Sequence, residues 1–201
     1  MSELRTVTSE IRIIGEEEGK KVSGLGIVYD EWTEIFPGFN ERILKGAAKP
    51  APLVKSFFNH NPDQVLSTLE SDPPLEIKET GKGVEFVSPI PPTSYGKDLE
   101  INLARKNVRG ASFAFTVPQN GDKWWEDDAG VTYREIKNLV FEELGPVTNP
   151  VYLKTTADLR SAQQVVDEWR ASQKPSEPPA EPEVPWRRNL AKRKQELAES
   201  L

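Results

Sequence analysis

Along the chain up to Val147, apolar and polar residues mostly alternate, the period of strands with one buried face. Leu4, Val7, Ile11 and Ile13 mark an opening strand within residues 1–14. The polar turn Gly15–Lys20 joins it, as a hairpin, to a second strand over Lys21–Tyr29, where Gly24 and Gly26 point to a bulge or a close approach. Asp30–Gly38 reads as an aromatic-rich loop, Asn40 as the cap of a short helix over Glu41–Lys45 that Gly46 ends, and Lys49–Pro52 as a break. Leu53–Phe58 is a compact apolar strand that runs into Asn59-His60-Asn61-Pro62. Leu75–Val87 makes two short strands around Gly81-Lys82-Gly83, and a proline-rich loop over Ser88–Gly96 leads to a helix over Lys97–Lys106. Asn120–Gly130 is an acidic hairpin tip bearing two tryptophans, Val131–Val147 returns as one or two strands, and Thr148-Asn149-Pro150 turns the chain.

Beyond that turn the pattern changes period. Thr155-Thr156-Ala157-Asp158 opens a helix with a capping-box signal, and Leu159, Ala162, Val166 and Trp169 form its apolar stripe. Residues 173–185 are Pro/Glu-rich, a semi-extended linker that cannot build a core. Residues 186–201 form a basic amphipathic helix with Trp186, Leu190, Leu197 and Leu201 on one face. The expected plan is one β-rich α+β domain over residues 1–172 and then a flexible arm.

The sharpest alternation lies in Asn107–Phe115. Ala111, Phe113 and Phe115 point to a core, while Ser112 and Ala114 face the other way, and Gly110 allows an unusual turn just before them. A hydroxyl on a rigid strand in an uncrowded setting suits a nucleophile, but any half-exposed strand serine looks the same.

Composition removes several chemistries. The 201 residues carry a net charge of -6, with 36% apolar and 29% charged positions, which argues against a general nucleic-acid binder. There are no cysteines, so thiol nucleophiles, disulfides and Cys-ligated metals are excluded. The single histidine, His60, excludes multi-histidine metal sites and a Ser–His–His arrangement within one chain. No signal peptide or membrane-length apolar run is seen, so the expectation is a soluble intracellular protein, and no Gly-rich phosphate loop or metal constellation calls for a cofactor or a metal.

Four ordered stretches together resemble the prohead proteases of tailed phages, serine proteases of capsid maturation distantly related to the herpesvirus assemblins. They are Trp32-Thr33-Glu34-Ile35 through Glu41-Arg42-Ile43 and Gly46-Ala47; Phe58-Asn59-His60-Asn61 with Val65-Leu66; Gly110-Ala111-Ser112-Phe113-Ala114-Phe115; and Glu143–Pro150 with Tyr152 and Thr155. The likeness covers roughly residues 22–156. Ser67 stands where the family often has Gly, and Val151 where it often has Ala.

The resemblance implies an assemblin-like β-rich barrel with flanking helices and a Ser–His pair. It also implies an endopeptidase that trims scaffold or major capsid protein, and often its own termini, inside the procapsid in the host cytoplasm. A non-catalytic capsid-assembly or scaffolding protein on the same fold is the rival reading.

On this reading Ser112 is the nucleophile and His60 the base that takes its proton, since a serine hydroxyl barely ionises near neutrality. The bland reading of His60 is a loop histidine capping a turn. A carboxylate should orient the imidazole. Glu143 matches the family's position, yet strict alternation puts it on the face of Leu139 and Phe141, where a charge is costly, and puts Glu142 on the other face. Alternation does not choose between these two, and Asp63 is a further candidate; the resemblance makes Glu143 the expected orienter. Glu126-Asp127-Asp128 could bind a cation but also reads as a solvated tip. The helix over 186–201 could dock on a scaffold or capsid partner, the linker could be a self-cleavage site, and self-association is left open.

Overall fold

The computed structural model describes residues 2–7, 11–15, 19–148 and 156–173, with side chains in the last segment from 160 onward. The linker, the segment 186–201 and Thr155 of the capping-box signal lie outside the described residues. Two compact units are distinguished, Met1–Val166 and Asp167–Leu201, and the architecture below is that of the first.

Three open sheets build it. The first runs β1 (Glu3–Val7), β10 (Gly110–Thr116), β13 (Leu139–Val147), β6 (Ala48–Phe57) and β7 (Val65–Thr68). The second runs β11 (Asp122–Glu126), β12 (Thr132–Ile136), β5 (Phe39–Ile43) and β4 (Thr33–Phe36). The third runs β2 (Arg12–Ile14), β3 (Lys21–Val28), β9 (Gly83–Pro89) and β8 (Glu76–Glu79). The expected mixture of strands and a few helices is present, but none of the three sheets closes into a barrel. Helix α1 (Ser94–Ala104) buries Leu99 and Leu103 as their spacing predicts, and the Thr93 hydroxyl caps it by accepting from Gly96 N–H.

One large core fills the space between the first and third sheets. It includes Phe113, Phe115, Phe141 and Leu144 from one, and Val22, Ile27, Val84 and Phe86 from the other. The strands approach so closely that a Cβ on Gly26 would sit 2.1 Å from the Leu144 side chain, the reason only glycine fits there. Next to it, the β3–β9 register shifts between Leu25 and Ile27, so the glycine-marked irregularity is both a bulge and a close approach. A smaller cluster packs Ala162 and Val166 of helix α2 (Thr156–Gln173) with Phe39.

Three local expectations fail, each for a visible reason. Residues 39–43 are a strand, not the start of a helix: Phe39, Glu41 and Ile43 alternate into the interior, and Glu41 is inside because it is ion-paired. Thr33–Phe36 pairs with that strand instead of looping. Strand β6 continues through Pro50 and Pro52, and its parallel register with β13 jumps from Pro50 opposite Phe141 to Lys55 opposite Glu143. The skipped stretch spares Pro52 a place in that ladder, where its missing N–H would cost a bond.

The first and second sheets are joined by a buried ionic network. Arg5 donates to Glu41 at 2.7 Å and to Glu3 at 2.8 Å, and Arg134 donates to Glu3 at 2.7 Å, Glu41 at 3.0 Å and Asp122 at 2.8 Å. Arg134 also lies over the Trp124 ring and Arg5 over Phe115. Burial alone would lower the Arg5 pKa, but the facing Glu41 and Glu3 carboxylates override it and raise the value. The same balance raises Arg134. Burial alone would raise the Glu41 carboxyl, and Arg5 and Arg134 together hold it below its ordinary value.

Candidate active site

Ser112 sits in the middle of β10, opposite Thr6 on β1 and Gly145 on β13. The alternation of this strand is real, but neither face is open. Gly110 through Phe115 are all buried, and Ser112 has no accessible surface, where a half-exposed serine was expected. On the face opposite the phenylalanines, Ser112 meets the Thr6 side chain of the neighbouring strand β1 and the His60 ring from the turn above.

Glu143 owes its place to a β-bulge. Phe115 pairs with Phe141, and the next pair is Ala114 with Glu143, so Glu142 is the extra residue. Directly paired residues share a face. Without the bulge, Glu143 would oppose Phe113 and point into the core; with it, Glu143 joins Ala114 and Ser112, and Leu144 takes the core position opposite Phe113. The expectation that alternation carries Glu143 to the side of Phe141 fails at this one inserted residue. Glu142 stays exposed and accepts a hydrogen bond from the Ser2 hydroxyl at 2.7 Å. Asp63 is exposed, with its N–H donating to the Asn61 side chain at 3.0 Å.

His60 arrives on the turn that follows β6. Asn59 and His60 both take left-handed backbone angles, φ 54 and φ 58. The turn is closed by Phe58 N–H to Gln64 O at 3.1 Å and Asn61 N–H to Phe58 O at 3.1 Å. It passes over β13 at Gly145, where a Cβ would come 2.2 Å from the Phe57 carbonyl oxygen. Glycine there lets the histidine turn lie directly on the sheet face that carries Ser112 and Glu143.

These three elements bring the side chains into a line. His60 Nε2 is 2.6 Å from Ser112 Oγ, and His60 Nδ1 is 2.6 Å from Glu143 Oε1. An ionised carboxylate only accepts, so Nδ1 carries the proton toward Glu143. In the neutral imidazole Nε2 is then an acceptor, and the serine hydroxyl can donate to it. A second acceptor competes, because Ser112 Oγ is also 2.8 Å from the Arg5 carbonyl oxygen. The single hydroxyl proton serves one at a time: Nε2 when the imidazole is neutral, the Arg5 carbonyl when Nε2–H is itself the donor. Thr6 donates to Ser112 Oγ at 3.3 Å from the other side.

Sequence patterns did not single out Thr6, the Arg5 carbonyl or Gly145, since a cross-strand neighbour is a property of register. The acidic tip is turn scaffolding: Asp127 Oδ1 accepts from the N–H groups of Ala129 and Val131, and Asp127 Oδ2 from the Tyr133 hydroxyl. Among the described residues, no three His, Cys, Asp or Glu side chains gather as a metal site. Nor is any described helix long and apolar enough to cross a membrane.

A family model of the caudovirus prohead serine proteases matches residues 6–168 of the chain. The chain belongs to that family. The coarse function follows from membership: it is a serine protease of the phage prohead, concerned with capsid maturation. Among solved structures, the capsid assembly protease of bacteriophage T4 is 13% identical, with 75% of this chain and 98% of that one covered and a TM-score of 0.47. No curated protein matches the chain.

Proposed function

We propose that the chain is an endopeptidase in which Ser112 is the nucleophile, His60 the general base and acid, and Glu143 the group that orients the imidazole. The observation that carries this reading is the pair of 2.6 Å contacts that place one imidazole between a hydroxyl and a carboxylate. Ser112 Oγ attacks the scissile carbonyl carbon while His60 Nε2 takes its proton. The imidazolium then gives that proton to the leaving amine nitrogen, the C–N bond breaks, and an ester on Ser112 remains. Water enters, loses a proton to Nε2 and attacks the ester; the bond from the acyl carbon to Ser112 Oγ breaks, Nε2–H returns the proton to Oγ, and the acid leaves. Throughout, Glu143 accepts Nδ1–H and stabilises the charge that forms on the ring.

The substrates we assign are scaffold and major capsid protein segments within the procapsid, together with the chain's own Pro/Glu-rich segment 173–185. The basic segment 186–201 is the part we assign to docking on such a partner. One observation favours the rival reading of a scaffolding protein without activity: Ser112 has no accessible surface, so a substrate reaches it only after the covering chain moves.

Co-expression with the cognate capsid or scaffold protein separates the two, with intact masses compared between the native chain and Ser112→Ala. Discrete truncations that vanish in the variant support the endopeptidase. Equal masses with capsids still assembling support the scaffold, and truncations that survive the substitution point to a host protease.

A further inference from the structure

We propose that Asn59 is a positioning residue that sets the His60 imidazole by clamping its turn to the end of the strand that carries Glu143. The inference rests on the Ser112–His60–Glu143 reading and extends it to a residue that touches none of the reacting atoms.

Three hydrogen bonds run from Asn59 to one short stretch. Its N–H donates to the Pro146 carbonyl at 3.0 Å. Its Oδ1 accepts from Thr148 N–H at 2.9 Å and from the Thr148 hydroxyl at 3.3 Å. Pro146 and Thr148 follow Glu143 closely in the same run of chain, so the clamp ties the base to the orienting carboxylate rather than to a remote part of the fold. The residue type suits the place as well. Two successive non-glycine residues hold φ near 55, a region where side chains other than Asn, Asp or Gly are strained, and Asn is among the least strained there.

The need for a clamp follows from geometry. The imidazole must keep two 2.6 Å contacts on opposite edges, so a small tilt of the turn spoils one of them. A misplacement of about 1 Å in a catalytic group can cost on the order of 100-fold in rate. Nothing else in the turn reaches across to the end of β13 in this way: Phe58, Asn61 and Gln64 bond among themselves, and Asp63 N–H bonds to Asn61. Asn59 itself is exposed, so its side-chain bonds compete with water and add little to the stability of the whole unit. The clamp therefore acts on where His60 points.

The test uses the full chain and three variants. Asn59→Gly keeps the left-handed backbone and the N–H donor but removes Oδ1. Asn59→Asp keeps an acceptor at the same place. Ser112→Ala is the control for the nucleophile. Because His60 is the sole histidine, its imidazole NMR signals are unambiguous, and they are read beside melting temperature and the rate of labelling by a fluorophosphonate.

With the clamp in place as proposed, Asn59→Gly loses or broadens the downfield Nδ1–H signal and labels about tenfold more slowly or worse. Asn59→Asp stays within about threefold of the native rate, and both melt within a few degrees of it. An Asn59→Gly chain that keeps the downfield signal and the native labelling rate overturns the proposal. Should that variant not fold, Thr148→Val, which removes one donor to Oδ1, is expected to broaden the His60 signal and slow labelling about two- to threefold; no change in either overturns it. If the native chain labels no better than Ser112→Ala, the catalytic reading fails, and the His60 signal by itself decides for or against the clamp.

Discussion

Two carboxylates in this protein meet nitrogen cations or bases at nearly the same distance but in opposite settings. Glu41 accepts from Arg5 at 2.7 Å and from Arg134 at 3.0 Å, wholly buried within the network that joins the first two sheets. Glu143 accepts from one imidazole nitrogen at 2.6 Å, and its side chain keeps 13% exposure. Guanidinium groups do not release protons in the working range, and in the network each is fixed by more than one carboxylate. That arrangement can only hold things still. An imidazole with a carboxylate on one nitrogen and a hydroxyl on the other can take up and release a proton at the nitrogen that faces the hydroxyl. The two regions touch through Arg5, whose side chain belongs to the network and whose carbonyl faces Ser112 Oγ at 2.8 Å.

Substitutions should separate the two regions, and the largest effect is expected at the nucleophile. Ser112→Ala should lower peptide cleavage by about 10⁴-fold or more while the melting temperature stays near the native value. A variant that cleaves at the native rate would remove the distinction. Next, Glu143→Gln should cost about 10²- to 10⁴-fold in kcat and at most about 1 kcal/mol in stability, read by paired kinetics and denaturant unfolding.

Glu41→Gln should do the reverse. It leaves two guanidinium groups short of a charged partner in the interior, so a loss of about 3–5 kcal/mol is expected in chemical denaturation. If Glu41→Gln proves neutral in stability, the network is not what joins the sheets.

The acid limb sharpens the contrast. The Glu41 carboxyl is held below its ordinary value near 4.5 by Arg5 and Arg134, against the opposing effect of burial. The stability it contributes is therefore fully present above pH 4.5 and is lost as pH falls through the depressed folded value. Unfolding monitored from pH 6 downward should show that loss, and Glu41→Gln should flatten it. Smallest of all, Arg42→Ala, which breaks the half-exposed Arg42–Glu135 pair, should change stability by less than about 1 kcal/mol.

How far the sequence carried this picture depends on what each feature rests on. Ser112 and His60 emerge through the ordered family motifs; on its own pattern the first reads as an ordinary strand serine and the second as a loop histidine. Alternation could not choose between Glu142 and Glu143, because a bulge inserts one residue and reverses which of them shares a face with Ser112. Only the family resemblance favours Glu143. The ionic network was invisible for a related reason. Glu3, Arg5, Glu41 and Arg134 look like surface residues one at a time, and only the pairing of distant strands makes them partners. The same blindness made a helix of residues 40–45, since a buried glutamate reads as an exposed one. Proline signals misled in β6, where a register jump removes the need for the donor that Pro52 lacks.

The most direct test of the central claim is to treat the full-length native chain, His60→Ala and Ser112→Ala with a fluorophosphonate and to map the adduct by peptide mass. The account predicts one adduct, on Ser112, in the native chain, with little in His60→Ala and none in Ser112→Ala. An adduct on another residue, or labelling of Ser112 that does not depend on His60, would contradict it.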